Sequence, residues 1–290
     1  MIFGRPSAES GREGPIGVLC FGGDLPLAVA EATRARGRDV FTIGFRGHAG
    51  SEIERFPHAW VKLGQIGRFF RLVRQHAIRR IIIVGAITRP ALRDLSLDWR
   101  GVWDIPRIVR MLRGGGDDNA LRAIIAYFEE NGLTVLGISE IAPELLAAAG
   151  DLGSVRLSED ERANAAIGLA VLDALSPFDA GQACVVIDGR PVAIEGAEGT
   201  DAMIARVAEM RANGRLRLQG RCGVLVKAAK KGQDLRVDLP TIGPRTIENA
   251  LAAQLAGVAV ESGKSLIADR ENCLATADRA GIAVVGLSRA

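Results

Sequence analysis

Aromatic residues are scarce in this chain, in which only 4% of the 290 residues are Phe, Trp or Tyr. Proteins that bind single-stranded nucleic acids stack the bases on aromatic side chains, so this composition argues against such a binder. The net charge of +3 is also too small to indicate a surface for a nucleic-acid duplex. We therefore predict no nucleic-acid partner.

Cysteine and histidine are also few. The four cysteines, Cys20, Cys184, Cys222 and Cys273, lie far apart, none belongs to a C-x-x-C pair, and there are only three histidines. A structural zinc site needs four such ligands at short spacings, so none is expected. Reduced, buried thiols are typical of a cytoplasmic protein.

Long hydrophobic runs are lacking as well. The strongest apolar run, residues 81–87, is too short to span a bilayer and is typical of a buried strand. Residues 1–15 are polar and lack the apolar core of a secretory signal. Both observations favour a soluble, cytoplasmic protein.

Aliphatic residues and glycine are abundant: hydrophobic residues make up 48% of the chain and Gly numbers 35. A chain of 290 residues is expected to form two domains. In residues 16–138 apolar strands alternate with helical stretches, which predicts a Rossmann-like α/β domain with a parallel sheet. Residues 139–157 lose clear periodicity and are the predicted linker. Residues 158–290 mix hairpins with helices and predict a distinct mixed α/β domain, and residues 1–15 are predicted to be a mobile extension.

Local signals add detail to the second half. Ser158 precedes acidic residues and is predicted to cap a helix that ends near residue 175. Asp188-Gly189 is a preferred hairpin turn between two apolar runs, and a second hairpin is expected around Ser262-Gly263. Residues 234–240 alternate between polar and apolar, which predicts a strand at residues 235–239.

The segment Gly22-Gly23-Asp24-Leu25-Pro26 follows the first predicted strand and opens a helix. Such a turn offers free main-chain N–H groups and the positive end of the helix dipole, and glycine lets a phosphate approach the main chain. We interpret Gly22, Gly23, Asp24 and Leu25 as a ligand-binding turn. The alternative is that Asp24 only caps the helix. The turn does not match G-x-G-x-x-G, which weakens a nicotinamide interpretation.

The most buried predicted strand ends in a second candidate. Gly85, Thr88 and Arg89 follow it directly. Ligands of open α/β sheets lie outside the carboxyl ends of the strands, so these residues are placed to contact an anion. The alternative is a solvated loop arginine.

The second half places its candidate residues at the ends of strands and the start of a helix. Glu198-Gly199-Thr200-Asp201 leads into a helix, and the apolar strand 224–227 ends on Lys227. In the alternating segment 234–240, Asp234, Arg236 and Asp238 share one face. Two carboxylates and an arginine suit a divalent cation together with a phosphate, because Mg²⁺ takes few protein carboxylates and bridges phosphates. The alternative is a solvated edge strand with an ion pair, which we accept for Asp234 and not for Asp238.

These motifs together resemble a known family. The four that carry the resemblance, in chain order between residues 16 and 286, are Gly22-Gly23-Asp24-Leu25-Pro26, Glu198-Gly199-Thr200-Asp201-Ala202-Met203, Gly223-Val224-Leu225-Val226-Lys227 and Asp238-Leu239-Pro240-Thr241-Ile242-Gly243. They are similar to the UDP-2,3-diacylglucosamine pyrophosphatases of the lipid A pathway of the type unrelated to calcineurin-like phosphatases, the LpxI family. One departure is Phe21, which stands where the family commonly has a third glycine.

The resemblance implies a Rossmann-like N-terminal domain, a distinct C-terminal domain and a substrate between them. It implies hydrolysis of UDP-2,3-diacylglucosamine with Mg²⁺ to UMP and 2,3-diacylglucosamine 1-phosphate, with Asp238 as the catalytic acidic residue. The ion is expected on Asp238 together with Glu198 or Asp201. The predicted substrate-binding residues are Gly22, Gly23, Asp24, Leu25, Gly85, Thr88, Arg89, Gly199, Thr200, Asp201, Lys227, Thr241 and Gly243.

The expected partner is the acylated UDP-sugar itself. Because the substrate carries acyl chains, a further expected contact is the inner face of the cytoplasmic membrane, where Lys230 and Lys231 would meet anionic headgroups. The alternative, which we favour for these two lysines, is a solvated turn. A second copy of the chain is another partner to test. Two other functions stay open at this point. One is an NAD(P)-dependent oxidoreductase, which rests on fold analogy alone. The other is a non-catalytic protein that binds a nucleotide sugar.

Overall fold

A parallel sheet of five strands forms the first half of the molecule. The computed structural model describes residues 14–85, 96–112 and 117–289. The strand order in this sheet is β3-β2-β1-β4-β5, and every pair is parallel. The strands are β1 (Ile16–Cys20), β2 (Val40–Phe45), β3 (His58–Val61), β4 (Arg80–Val84) and β5 (Thr134–Val135). The Rossmann-like sheet predicted for this half is therefore confirmed.

Helices cover both faces of this sheet. They are α1 (Leu25–Ala35), α2 (Ile66–Gln75), α3 (Trp99–Leu112), α4 (Asp117–Glu130) and the short α5 (Ile138–Ile141). Val18 belongs to the core cluster that includes Val29 of α1, whereas the next residue, Leu19, belongs to the cluster that includes Phe70 of α2 and Ile125 of α4. Because successive strand residues point to opposite faces, apolar residues at nearly every strand position fill both cores.

The second half contains a mixed sheet of six strands in the order β6-β13-β11-β9-β7-β8. These strands are β6 (Gly150–Asp151), β7 (Ala183–Ile187), β8 (Arg190–Ile194), β9 (Val224–Lys227), β11 (Gly257–Glu261) and β13 (Ala283–Leu287). A separate parallel pair joins β10 (Thr241–Ile242) and β12 (Leu266–Ile267). The helices are α6 (Glu159–Leu175), α7 (Thr200–Ala212), α8 (Pro244–Ala252) and α9 (Arg270–Ala280). The mixed α/β prediction is confirmed.

Two local predictions in this half are also confirmed. The Ser158 hydroxyl accepts a hydrogen bond from the Glu161 main-chain N–H at 3.3 Å and so caps α6. Asp188 and Gly189 join β7 to β8 with φ values of 50° and 71°, as the favoured hairpin turn with two positive φ angles requires.

The hairpin predicted around Ser262-Gly263 is wrong. β11 pairs in parallel with β9 and β13, and the chain beyond Gly263 leaves this sheet to form β12 beside β10. The reason is packing: Leu266 is 2% exposed and belongs to the α1-side core cluster of the first half. Burial against the other sheet therefore takes the place of local strand pairing.

The strand predicted at residues 235–239 is wrong as well, because residues 235–237 form a turn. The Asp234 carboxylate accepts a hydrogen bond from the Arg236 main-chain N–H at 3.1 Å and another from its guanidinium at 2.6 Å, which closes the turn locally. Val237 and Leu239 pack against the two core clusters of the first half. The apolar residues that made the segment look like a strand are anchors to the other half of the molecule.

The predicted linker, residues 139–157, contains most of α5 and the whole of β6, which pairs with β13. The division of the chain into domains stays a prediction. Of the predicted extension, residues 1–13 lie outside the described residues. In the part of the chain that the structure describes, each helix is too short or too polar to cross a bilayer.

Candidate functional site

The glycine turn lies where the chain order of the first sheet reverses, between β1 and β4. The Phe21 main-chain N–H donates to the Val84 carbonyl oxygen at 2.9 Å and continues the pairing past the ends of these strands. Gly85 has a φ of 102°, and a Cβ on it would lie 2.6 Å from the Gly22 carbonyl oxygen. Only glycine allows this approach. The carboxyl edge at such a reversal is where open α/β sheets bind ligands.

The geometry of the turn favours its interpretation as more than a helix cap. Asp24 occupies the N-cap position of α1, makes no side-chain capping bond and is exposed. Gly23 has a φ of 87°, and a Cβ added to it would have no atom within 4 Å, so its outer side is open. Leu25 is half-buried at the start of α1. These residues and Gly85 meet at one edge, while Thr88 and Arg89 lie outside the described residues.

Phe21, the departure from the family pattern, does not fill the turn. Its side chain is 7% exposed and its ring stacks on Phe45, with 4.4 Å between the ring centroids. It belongs to the core cluster on the α2 side of the sheet. The bulky side chain is therefore accommodated in the core, and the turn still presents the main chain of Gly22 and Gly23.

Asp238 lies in the segment that anchors the second half to the first. Its Oδ2 accepts a hydrogen bond from Gln182 Nε2 at 2.9 Å and another from Gln233 Nε2, which also donates to the Asp238 main-chain oxygen at 3.3 Å. Two amides on one oxygen fix the orientation of the carboxylate. The flanking residues Val237 and Leu239 pack on the first half, so both halves determine where Asp238 lies.

A chain of hydrogen bonds connects Asp238 to Lys227. Lys227 Nζ donates to Thr200 Oγ1 at 2.9 Å, and Thr200 Oγ1 donates to Glu195 Oε1 at 2.7 Å. Glu195 Oε2 accepts from the Gln182 main-chain N–H at 2.8 Å, and the Gln182 side chain reaches Asp238. We call these five residues the Asp238–Lys227 network. It unites the ends of β8 and β9 with the start of α7.

Lys227 is the charged group whose environment in this network is most perturbed. Burial lowers the pKa of Lys227, and the carboxylates of Glu195, Asp201 and Asp238 oppose this shift. Burial makes the ammonium costly without a close anion. An additional anion beside Lys227 would stabilise its charged form, which is the behaviour expected of a residue that binds phosphate.

A cleft of about 400 Å³ opens beside the network. The starts of α7 and α8 both line it, so two sets of helical N–H groups and two positive dipole ends face the same space. The lining residues are Glu198, Gly199, Thr200, Asp201, Lys227, Thr241, Ile242, Gly243, Pro244, Arg245, Thr246 and Ala268. The cleft brings together all the substrate-binding residues that the sequence predicts in the second half, and it suits an anion.

The carboxylates predicted to bind Mg²⁺ already have partners. Asp201 pairs with Arg245 at 2.9 Å and accepts from Asn249 at 2.8 Å, and Glu198 pairs with Arg206 at 3.1 Å. Among the described residues no group of three or more His, Cys, Asp or Glu side chains forms a ready metal cage. This donor set fits Mg²⁺ in its usual mode, in which one or two carboxylates act together with substrate phosphates and water.

Sequence reasoning missed several residues of this site. Glu195 follows β8 directly, and a carboxylate at the end of a strand is a sequence signal that could have identified it. Arg245 lies in the first turn of α8. A cation at the positive end of a helix dipole is unfavourable, so an arginine at this position is a signal of a functional contact. Gln182 and Gln233 carry no pattern, because an amide becomes part of a site only through its contacts in the folded chain.

The chain is similar to known proteins along most of its length. The family model of the LpxI N-terminal domain matches residues 15–145, and that of the LpxI C-terminal domain matches residues 148–285. The UDP-2,3-diacylglucosamine pyrophosphatase LpxI of Caulobacter vibrioides is 37% identical over 272 residues, which cover 94% of this chain and 97% of that protein. The two family models cover most of the chain, in the order in which its two sheets occur. The chain belongs to the LpxI family.

Proposed function

We propose that this protein hydrolyses the pyrophosphate bond of UDP-2,3-diacylglucosamine, giving UMP and 2,3-diacylglucosamine 1-phosphate, and that it uses Mg²⁺. The observation that carries the proposal is the Asp238–Lys227 network beside a cleft at two helix starts. This arrangement supplies an oriented carboxylate and a partly buried cation within one site, which is what hydrolysis of an anionic phosphoanhydride requires. The activity named for the Caulobacter relative is the same.

In the reaction that we propose, water attacks the β-phosphorus. The bond from that phosphorus to the bridging oxygen breaks, UMP leaves with the bridging oxygen, and the attacking water gives up a proton. Asp238 is the residue that orients this water and takes up the proton. The amides of Gln182 and Gln233 hold the Asp238 carboxylate in one orientation, so the water is aimed before the substrate reacts.

The remaining groups of the site neutralise the charge of the substrate. Lys227 and Thr200 bind phosphate oxygens, and the starts of α7 and α8 add N–H donors. Mg²⁺, held by Asp238 with Asp201 or Glu198 and by the substrate, would neutralise the developing charge on the pyrophosphate. To hold the ion, Asp201 would have to give up its ion pair with Arg245, or Glu198 its ion pair with Arg206.

The glycine turn binds the nucleotide end of the substrate in this proposal. Leu239, next to Asp238, packs against the core cluster with which Leu25 of the turn also makes contact. The reacting carboxylate and the turn are thus fixed to the same core. A substrate that extends from the turn toward Asp238 would contact both halves.

Incubation of the purified chain with UDP-2,3-diacylglucosamine and Mg²⁺ tests the proposal. We expect UMP and 2,3-diacylglucosamine 1-phosphate in equal amounts, and no product after the divalent ions are chelated. In water that carries a heavy oxygen isotope, the label should enter the sugar 1-phosphate and not UMP. Label in UMP would contradict attack at the β-phosphorus. Tight substrate binding without product would instead indicate a non-catalytic binding protein, and binding of NAD(P)H would favour an oxidoreductase.

A further inference from the structure

An exposed apolar patch lies at the start of α3, away from the residues assigned to the reaction. Trp99 is 78% exposed, Trp103 69%, Val102 51% and the preceding Leu97 47%. Residues three and four positions apart share one face of a helix, so Trp99, Val102 and Trp103 form a continuous surface. Of the seven large hydrophobic side chains that are strongly exposed in the described residues, four lie within this short stretch. Such clustering marks a binding surface and not a chance exposure.

The segment of the chain that carries this patch is rich in positive charge. Residues 62–113 contain twelve Lys or Arg and three Asp, which gives this segment a net charge of +9, although the whole chain carries only +3. On α2, Arg68, Arg71 and Arg74 are all exposed and recur at every third position, so they follow one another along the helix surface. Positive charge is therefore concentrated in the segment of the chain that contains the apolar patch.

The Asp98 carboxylate joins the arginines of α2 to the tryptophans of α3. It accepts from the Arg68 main-chain N–H at 2.9 Å and from the Gly101 main-chain N–H at 2.8 Å. The two helices consequently start side by side. Arg100, within the patch region, lies over the Phe70 ring of α2 at 4.2 Å and tightens the same contact.

The patch begins at the same edge of the sheet as the glycine turn. The Ser96 main-chain N–H donates to the Leu63 carbonyl oxygen at 2.8 Å, and Leu63 follows the carboxyl end of β3. In a parallel sheet all carboxyl ends lie at one edge, so Leu63 and Gly22 are at a common edge. A partner that contacts residues 96–103 would therefore lie near the glycine turn of the proposed site.

We propose that Leu97, Trp99, Val102 and Trp103, together with Arg68, Arg71 and Arg74, dock the protein on a bilayer that contains anionic phospholipid. Tryptophan favours the membrane–water interface, and clustered arginines are attracted to anionic headgroups. A second copy of the chain is a poorer occupant, because a two-fold contact would bring two segments of +9 together. That the diacylated substrate enters from this bilayer rests on the proposed function. Binding to a bilayer without substrate does not.

Sedimentation of the full chain with vesicles tests the surface directly. Vesicles of phosphatidylglycerol and phosphatidylethanolamine in equal amounts are compared with vesicles of phosphatidylcholine. We expect binding to the anionic vesicles only, reduced by salt, and at least about tenfold weaker in the Trp99→Ala/Trp103→Ala double variant and in the Arg68→Glu/Arg71→Glu/Arg74→Glu triple variant. Circular dichroism verifies that each variant is folded.

Matched controls come from the other half. Phe178→Ala removes an equally exposed aromatic, and Arg190→Glu/Arg215→Glu/Arg217→Glu reverses three exposed arginines. The proposal is overturned if these controls weaken vesicle binding as much as the patch variants, or if the wild type does not prefer anionic vesicles. It is also overturned if the double tryptophan variant changes only the oligomeric state in analytical ultracentrifugation, which would make the patch an interface between copies.

An activity assay separates this proposal from the proposed function. In detergent micelles the patch variants should hydrolyse UDP-2,3-diacylglucosamine at the wild-type rate, whereas in anionic vesicles their rate should fall with their binding. If the wild type binds anionic vesicles but hydrolyses the substrate neither in micelles nor in vesicles, the proposed function is contradicted and the proposed membrane-binding surface is not. If a patch variant retains full activity on anionic vesicles, the proposed membrane-binding surface is contradicted and the proposed function is not.

Discussion

The turn after β1 and the cleft around Lys227 differ in the atoms that they present to a ligand. At Gly22 and Gly23 the accessible groups are main-chain N–H groups, and the neighbouring Gly85 is required by the 2.6 Å approach to Gly22. At Lys227 and Asp238 the groups are side chains that hydrogen bonds hold in place. A turn of this kind selects a shape and a charge, whereas oriented ionisable side chains are needed to move a proton. In the proposed function, binding of the nucleotide end therefore belongs to the first half and bond cleavage to the second.

Asp238→Ala should have the largest effect on this comparison. If Asp238 orients the attacking water, kcat in the presence of Mg²⁺ falls about 10³-fold or more, whereas the substrate Kd measured without Mg²⁺ changes little, because the turn and Lys227 still bind the substrate. Steady-state kinetics and calorimetric titration give the two values. Asp234→Ala is the matched control, since Asp234 is a carboxylate of the same segment that pairs with Arg236. Near-normal Mg²⁺-dependent turnover in Asp238→Ala would refute the assignment.

Lys227→Met should lower kcat/KM about 10²-fold, since a partly buried cation at the phosphate is lost. Burial lowers the pKa of Lys227, against the opposing effect of its carboxylate neighbours. The protonated form binds the anion, so activity is present below this lowered pKa and disappears as the pH rises through it. In a plot of kcat/KM against pH, the apparent pKa of the alkaline limb should therefore lie below the usual lysine value. In Lys227→Arg this apparent pKa should be higher, because arginine keeps its proton. An identical limb in both proteins would exclude Lys227 as its source.

Gly85→Ala measures how much the first half depends on its main-chain geometry. The added Cβ meets the Gly22 carbonyl oxygen, and the positive φ is unfavourable for alanine, so we expect a loss of about 2–3 kcal/mol in the free energy of unfolding and a higher KM. Gly23→Ala has a similar φ but open space around the new Cβ, and should cost about 1 kcal/mol. Urea denaturation gives both values. Equal losses would show that the close approach contributes nothing.

Gln182→Met should have the smallest effect on activity, and it tests whether the second half orients Asp238 through this amide. It removes the amide that donates to Asp238 but retains the main-chain N–H that donates to Glu195. We expect kcat to fall about tenfold with KM and the free energy of unfolding almost unchanged, because Gln182 acts through the orientation of Asp238. A loss confined to stability would assign Gln182 a structural role only.

The sequence contained the elements of the fold but not the assembly of the site. The parallel sheet, the Ser158 cap and the Asp188-Gly189 hairpin follow from periodicity and turn chemistry, which are local properties. The contact between Gln182 and Asp238 joins residues 56 positions apart and leaves no local pattern. Alternation in residues 234–239 misled for a related reason: side chains that anchor two halves to each other repeat at the same spacing as those of a strand.

The position of Asp238 between Val237 and Leu239 has a consequence for how the activity is assembled. Both flanking side chains pack on the first half, whereas Gln182 and Lys227 belong to the second. Neither half, expressed as a fragment, would hold this carboxylate against its partners. We therefore expect hydrolytic activity only when the two halves are packed together, and loss of this activity when they separate. A site built in this way remains inactive until the whole chain has folded.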